Sequence, residues 1–487
     1  VKFSPATQPN APVRLAEVLS ALSFALDLTE GQPSGHSVRS CVIGMHLAVE
    51  MGLPAKLRQD LYYASLMKDA GCTANASKMM QILGTDDIAG KRDALAIDWT
   101  HTGWESIQYA LSHVQTGAPF LQRVRALFQM ALHQKENVKI VNQMRCDRGA
   151  SIARKIGLSE TAATAIQCLN EHWNGCGQPQ GMSGERIPLL SRIMCLAQTA
   201  DVFYSLHGLA ASVEVIARRA KHWFDPDVAR AFGSLASRPA FRTELPFATS
   251  RVIELEPHPV TLDLNDAVLD NICLAFAEVI DAKSPFTYKH SNGVAAAAVA
   301  IAKTLSLSEP EVAFIRRAGL LHDVGKLSVP NTILDKPDKL TREEWDVVHK
   351  HPHYSREILR RIPGFSNLAD IASAHHEKLD GSGYFRNLSA ETLSLPARIL
   401  VVADIYDALA AKRPYRDALP LERVLGMIAK DVPHALDPSC FEALKFAIDS
   451  ENDPTCGLHH LAKAVAVPPQ TQSPEQSITP AACTLTR

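Results

Sequence analysis

The sequence predicts an all-α chain built from two copies of one helical domain. Three observations lead there. Apolar residues recur at helical spacing along almost all of the 487 residues. Stretches that alternate apolar with polar residues are scarce. Two motif pairs recur in the two halves at matched separations.

Leu15, Val18, Leu19 and Leu22 share one helical face, and Val312, Ile315, Gly319 and His322 trace another. Arg251 to Leu255 is a strand candidate. Pro239, Pro246, Pro257 and Pro259 mark residues 239–264 as a linker between a first domain, 1–238, and a second, 265–450. Residues 451–487, rich in Pro, Gln, Ser and Thr from about Val465, read as a largely disordered tail.

The repeat rests on spacing. His290-Ser291 precedes His322-Asp323-Val324-Gly325 by 32 positions, and His36-Ser37 precedes Lys68-Asp69-Ala70-Gly71 by the same 32. Asp380-Gly381-Ser382-Gly383 leads to Pro396 and Arg398, as Asn174-Gly175-Cys176-Gly177 leads to Pro188 and Arg192, with 17 positions from Gly381 to Arg398 and from Gly175 to Arg192. Such double agreement is hard to obtain by chance. The halves are offset by 254 positions at the first motif and 206 at the second, so the first half carries a 48-residue insertion within Thr73 to Gln143.

The formal net charge of −2 excludes a global basic field for a nucleic-acid polymer or an anionic membrane. The ten cysteines form no CxxC pair and read as reduced, buried thiols. No run approaches the ~20 apolar residues of a membrane span. Val1 to Arg14 lacks the apolar core of a signal peptide and an initiator Met, so we expect a trimmed N-terminus and a cytoplasmic location.

The second half concentrates metal-ligand residue types: His290, His322, Asp323, His351, His375, His376 and Asp404. Imidazoles with carboxylates suit Fe, Mn, Zn, Co or Ni, and the lack of a cysteine ligand argues against a structural zinc cage. This many ligands suffices for two metals, with one carboxylate, best placed at Asp323, bridging them. A bridged pair activates water and clamps the oxygens of an in-line phosphoryl displacement. Each piece alone is ordinary: His-Asp is a common dipeptide, His before Pro commonly opens a helix, and paired histidines often pack. Their order and spacing carry the assignment.

The run His322-Asp323-Val324-Gly325-Lys326, then His375-His376-Glu377, Asp380-Gly381-Ser382-Gly383-Tyr384, Asp404-Ile405-Tyr406-Asp407-Ala408-Leu409 and Arg413-Pro414-Tyr415-Arg416 resembles the HD-GYP family. That family is a branch of the HD phosphohydrolases whose members degrade cyclic di-GMP. The resemblance covers about Asn265 to Ile448. It implies an all-helical bundle with a centre of two or three divalent transition-metal ions, and with the repeat the expectation is two tandem HD-type helical bundles, the second carrying the centre. Iron or manganese comes first; nickel, cobalt or zinc stay open. Position by position, the seven residues above match the metal ligands, and Asp323 and Lys326 are the catalytic candidates. Lys326 matches the lysine on the scissile phosphate, and Tyr384, Arg413 and Arg416 join it in holding nucleotide. Two positions depart from the pattern. Phe385 stands for the namesake proline, which frees φ and restores an N–H. Phe286 stands where trinuclear members carry a ligating glutamate, so the expectation is two metals rather than three.

In the first half His36 and Asp69 survive, but Lys68 replaces the histidine of the His-Asp pair and Arg145 stands at the position of His351. Leu169 and Asn170 replace the paired histidines, and Gln198 replaces Asp404. The expectation is a catalytically dead copy kept as scaffold, dimer surface or ligand sensor. For the whole chain it is a phosphodiesterase cleaving cyclic di-GMP or 3′,3′-cyclic GMP-AMP to a linear dinucleotide, with further cleavage to mononucleotides open. A homodimer and contacts with signalling proteins are also open. The alternatives are an HD hydrolase of other nucleoside phosphates and a nucleotide-binding hub without turnover.

Overall fold

The computed structural model describes residues 13–99, 103–262, 267–284, 289–336, 338–411 and 418–451. They are all-α. The described strands are two residues each, Val13–Arg14 paired antiparallel with Thr261–Leu262.

Each half is organised around its histidine-bearing helix, His36–Glu50 in the first and His290–Thr304 in the second. In each it packs against the helix that leads to the Asp69 or Asp323 motif, Ala55–Leu66 or Glu309–Leu321. It also packs against a later helix, Leu189–Arg219 or Leu395–Ala410. Small residues permit close approach in the second half. Val294, Ala295, Ala297, Ala298 and Ala302 are buried, and a Cβ on Gly319 would lie 2.8 Å from the Ala295 Cα.

The halves share one apolar core. Helix Leu15–Thr29 of the first half lies on the 3-10 turn Val324–Ser328 and on helix His351–Leu359 of the second. In return, helix Ala267–Asp281 meets helix Gln134–Lys155, where Glu278 pairs with Arg148 and Lys155. The inserted residues form helices Ala76–Leu83, Asp87–Ala94, Trp104–His113 and Phe120–Leu132 around a small apolar cluster of Leu83, Ile97, Tyr109 and Val114.

Two expectations are corrected. Residues 239–255 are helical rather than a loose linker, and Phe241, Leu245, Ala248 and Val252 are buried in the core. Pro239 sits in the first turn of its helix, where a missing N–H costs nothing. Arg251–Leu255 is not a strand: Val252–Leu255 is a 3-10 turn that buries Val252 and packs Ile253 and Leu255, partly buried, against the core. The tail from residue 452 onward lies outside the described residues. Among those described, no helix is long and apolar enough to cross a membrane.

The repeat recurs at a tight backbone crossing. A Cβ on Gly325 would lie 2.0 Å from the His351 carbonyl oxygen, and one on Gly71 would lie 1.9 Å from that of Arg145. Gly71→Ala must therefore push two segments apart. We expect it to destabilise the full chain by about 1–3 kcal/mol in denaturant unfolding. Gly233→Ala, in a helix with nothing within 4 Å of the added carbon, should be neutral or stabilising. Equal stability of the two variants would contradict the crossing.

Candidate metal centre

The seven ligand candidates arrive from helix ends. His290 opens helix His290–Thr304, after Lys289 in the left-handed region at φ 61°. His322 caps helix Glu309–Leu321, and Asp323 follows it into the turn that carries Lys326. His351 begins helix His351–Leu359, His375 and His376 follow helix Ser366–Ala372, and Asp404 sits within Leu395–Ala410. All are buried except His376, which is half-buried.

Three imidazoles are aimed by the same device. His322 Nδ1 lies 2.8 Å from the Gly319 carbonyl, His351 Nδ1 2.6 Å from that of Val348, and His375 Nδ1 2.7 Å from that of Ala372. Each carbonyl belongs to the residue three positions earlier, in the last turn of a helix, where carbonyls lack helical partners. Each can accept only from an Nδ1–H, which leaves Nε2 as a lone pair facing inward. For His290 the Asp407 carboxylate does this work, at 2.6 Å from Nδ1.

The inward nitrogens converge on Asp323. Its Oδ1 is 3.4 Å from His351 Nε2 and 3.6 Å from His375 Nε2. Its Oδ2 is 3.2 Å from His322 Nε2, 3.7 Å from His290 Nε2 and 2.6 Å from Lys326 Nζ. Asp404 completes the His290 side, with Oδ1 3.1 Å from His290 Nε2 and 3.8 Å from His322 Nε2. Donor atoms of His290, His322 and Asp404 fall within one ion-sized cluster, and those of His351, His375 and His376 within a second. The carboxylate between them is where a bridging ligand belongs.

The donor set fits divalent metal. His322 Nε2 and Asp323 Oδ1 are buried without a hydrogen-bond partner among the described residues. His351 Nε2 and His375 Nε2 lie 3.0 Å apart, two lone pairs facing each other unless a cation stands between them. Burial pushes His375 down to about 4, and burial also holds His351 and His376 low. These rings are therefore neutral, the form that ligates. Burial would lower His290 too, but Asp404 and Asp407 outweigh it and raise it to about 10. Asp323 is held well below the carboxylate range despite its burial, the Lys326 ammonium being among the opposing groups that face it.

Lys326 is one-fifth exposed, so its ammonium reaches the open side of the centre. The Tyr384 ring stacks on His376 at 4.7 Å and lies 4.1 Å from the His349 ring. Glu377 fixes that loop by accepting from the N–H groups of Arg386 and Leu388, and Gly383 passes so close that an added Cβ would lie 2.4 Å from the Glu377 Cα. Phe385 packs edge-on against His353. Arg413, Arg416 and Phe286 lie outside the described residues. The sequence reading assigned no role to Asp407, Glu377 or His349. Asp407 had a signal, being one turn after Asp404 on the same helix.

The first half holds the same frame with different chemistry. His36 Nδ1 bonds Asp201 at 2.7 Å, as His290 bonds Asp407. Asp69, however, bonds the Lys68 ammonium through Oδ2 and the Arg145 guanidinium through Oδ1 at 2.6 Å. Glu30, Asp69 and Cys72 are close enough to suggest a cation site, but both Asp69 oxygens are already committed.

The HD domain family model matches residues 114–228 and 275–440, reaching both halves. The chain is 40% identical over 448 residues to the 3′3′-cGAMP-specific phosphodiesterase 3 of Vibrio cholerae, spanning 92% of this chain and 97% of that protein. Over 164 residues it is 40% identical to a cyclic di-GMP phosphodiesterase of Pseudomonas aeruginosa, 34% of this chain and 39% of that one. The crystal structure of a cyclic GMP-AMP specific phosphodiesterase of V. cholerae matches with a TM-score of 0.61 at 36% identity, covering 90% of this chain and 98% of that one.

The Asp407 contact generates a prediction. Asp407→Asn keeps the shape but removes the charge that orients His290. Metal affinity, measured by competition with a chelator, should fall about 10–100-fold while helicity persists. An unchanged affinity would show that His290 needs no such partner.

Proposed function

Because the chain belongs to the HD-domain family, in its HD-GYP branch, we propose that its second half is a metal-dependent phosphodiesterase that opens a cyclic dinucleotide. The observation that carries this reading is the convergence of four imidazoles, those of His290, His322, His351 and His375, on Asp323, with the Lys326 ammonium beside it and Asp404 and His376 completing the two ligand clusters. We assign His290, His322 and Asp404 to one divalent ion and His351, His375 and His376 to a second, with Asp323 shared. Iron or manganese is the proposed pair. When bound, such ions supply Lewis-acid polarisation of the phosphodiester and activation of water.

The chain's own residues do the rest. Lys326 donates to a non-bridging phosphate oxygen and offsets the charge that develops on it. Tyr384, its ring held between His376 and His349, presents its edge and hydroxyl rather than a face to the nucleotide in this reading. Arg413 and Arg416 hold phosphate or guanine edges in this reading. Water adds across one phosphodiester bond, the ribose oxygen leaves as a hydroxyl, and a linear dinucleotide forms. We propose 3′,3′-cyclic GMP-AMP as the preferred substrate, since the relative that spans both halves is named for it. Relatives named for cyclic di-GMP match about a third of the chain.

Three measurements test this. Elemental analysis of the loaded chain should approach two metals, and a reproducible value near three, or none, would overturn the ligand assignment. Lys326→Ala should lower turnover about 10²–10³-fold with metal content unchanged. Undiminished turnover would reduce Lys326 to a buried counter-charge for Asp323. Chromatography of each cyclic dinucleotide with the holoenzyme should show linear product, faster for cyclic GMP-AMP, and equal or reversed rates would refute the preference.

A further inference from the structure

The relic of the metal centre in the first half is not filled in. A chamber of about 920 Å³ stands over it, within the ~300–1,000 Å³ of small-molecule sites. Its floor is made of the replaced ligands Arg145, Asn170 and Gln198. Its roof is the insertion, which contributes Leu83, Ile97, Trp99 and Tyr109. The 48 extra residues thus enclose the site where the second half would meet substrate.

The lining is unfinished chemistry. Asn75, Arg145 and Gln198 are each at least nine-tenths buried. Asn75 Oδ1, Gln198 Oε1 and Arg145 Nε nevertheless have no hydrogen-bond partner among the described residues. These atoms are turned away from solvent, and a rotation of each side chain into the chamber would let a ligand with both donors and acceptors pair with it. The Trp99 indole N–H is already taken by the Ala94 carbonyl at 2.9 Å, so what it can offer a ligand is its ring. Amide side chains pair with purine edges, and indole rings stack on bases.

Charge narrows the choice. Lys68, Lys91 and Arg145 stand close to Asp69, Asp87 and Glu30, so the buried charges around the chamber balance. That balance disfavours a polyphosphate and tolerates one phosphate near Arg145. We propose that this chamber binds a purine mononucleotide, making the first half a second nucleotide site. Only the choice of nucleotide over another heteroaromatic ligand leans on the function proposed for the second half.

The test is calorimetric titration of the full chain with GMP and with AMP, using ribose 5-phosphate and decanoate as comparison probes. Gln198→Leu removes an unpaired amide without removing bulk, and Ala94→Phe fills part of the chamber that Ala94 lines. The expected result is saturable binding of GMP or AMP that weakens at least about tenfold in either variant, a change near 1.4 kcal/mol. Circular dichroism reports whether each variant is folded, and if Gln198→Leu is not, Ala94→Phe decides. Nucleotide held in the second half is insensitive to both substitutions, so the difference between variants and wild type is what is read. The proposal is overturned if neither nucleotide binds, if binding is unchanged in the folded variants, or if only decanoate or ribose 5-phosphate binds. A chain that binds GMP in this manner yet cleaves no cyclic dinucleotide would keep this site and lose the phosphodiesterase reading.

Discussion

A single carboxylate organises the second half. Asp323 presents one oxygen to His351 and His375 and the other to His290, His322 and Lys326. A buried carboxylate is costly unless it is matched by charge and by hydrogen bonds. Four helices and a 3-10 turn bring those partners from positions as far apart as 290 and 375. Much of the local structure serves that meeting. Three helices end so that a free carbonyl turns an imidazole inward, and Gly325 lets the backbone of His351 pass at contact distance.

The first half shows what happens when the frame stays and the ligands go. Its carboxylate, Asp69, still needs positive partners, and Lys68 and Arg145 supply them from within the chain. The substitutions are therefore mutually consistent: an ammonium and a guanidinium stand where the other half has imidazoles. The pair is self-sufficient, which frees the surrounding space from any need for metal.

Much of this was legible in the sequence. Metal-ligand residue types are few and specific, so their order pointed to the side chains that gather around Asp323, and equal spacings pointed to the frame that recurs around Asp69. What orients the ligands was less legible, because three of the orienting groups are backbone carbonyls, which every residue has. Prolines misled at 239–255, since the same residue that breaks a helix also starts one; Pro239 and Pro246 lie in first turns. The insertion could be counted from the motifs, but not located in space. Residues 76–132 fold back over Arg145 and Gln198, an approach that no local pattern encodes.

The short strand pair has a topological consequence. Val13 lies opposite Leu262, Leu15 N–H bonds the Val260 carbonyl, and the Arg14 guanidinium grips Glu256. The described first half thus starts and finishes at one point, as a closed loop of chain. A unit whose two ends meet can be copied in tandem without stretching either copy, because the next one simply starts where the last one stopped. The same clasp makes the exit from one bundle the entrance to the other, so that the reach of the connection, rather than its sequence, fixes how near the two must lie.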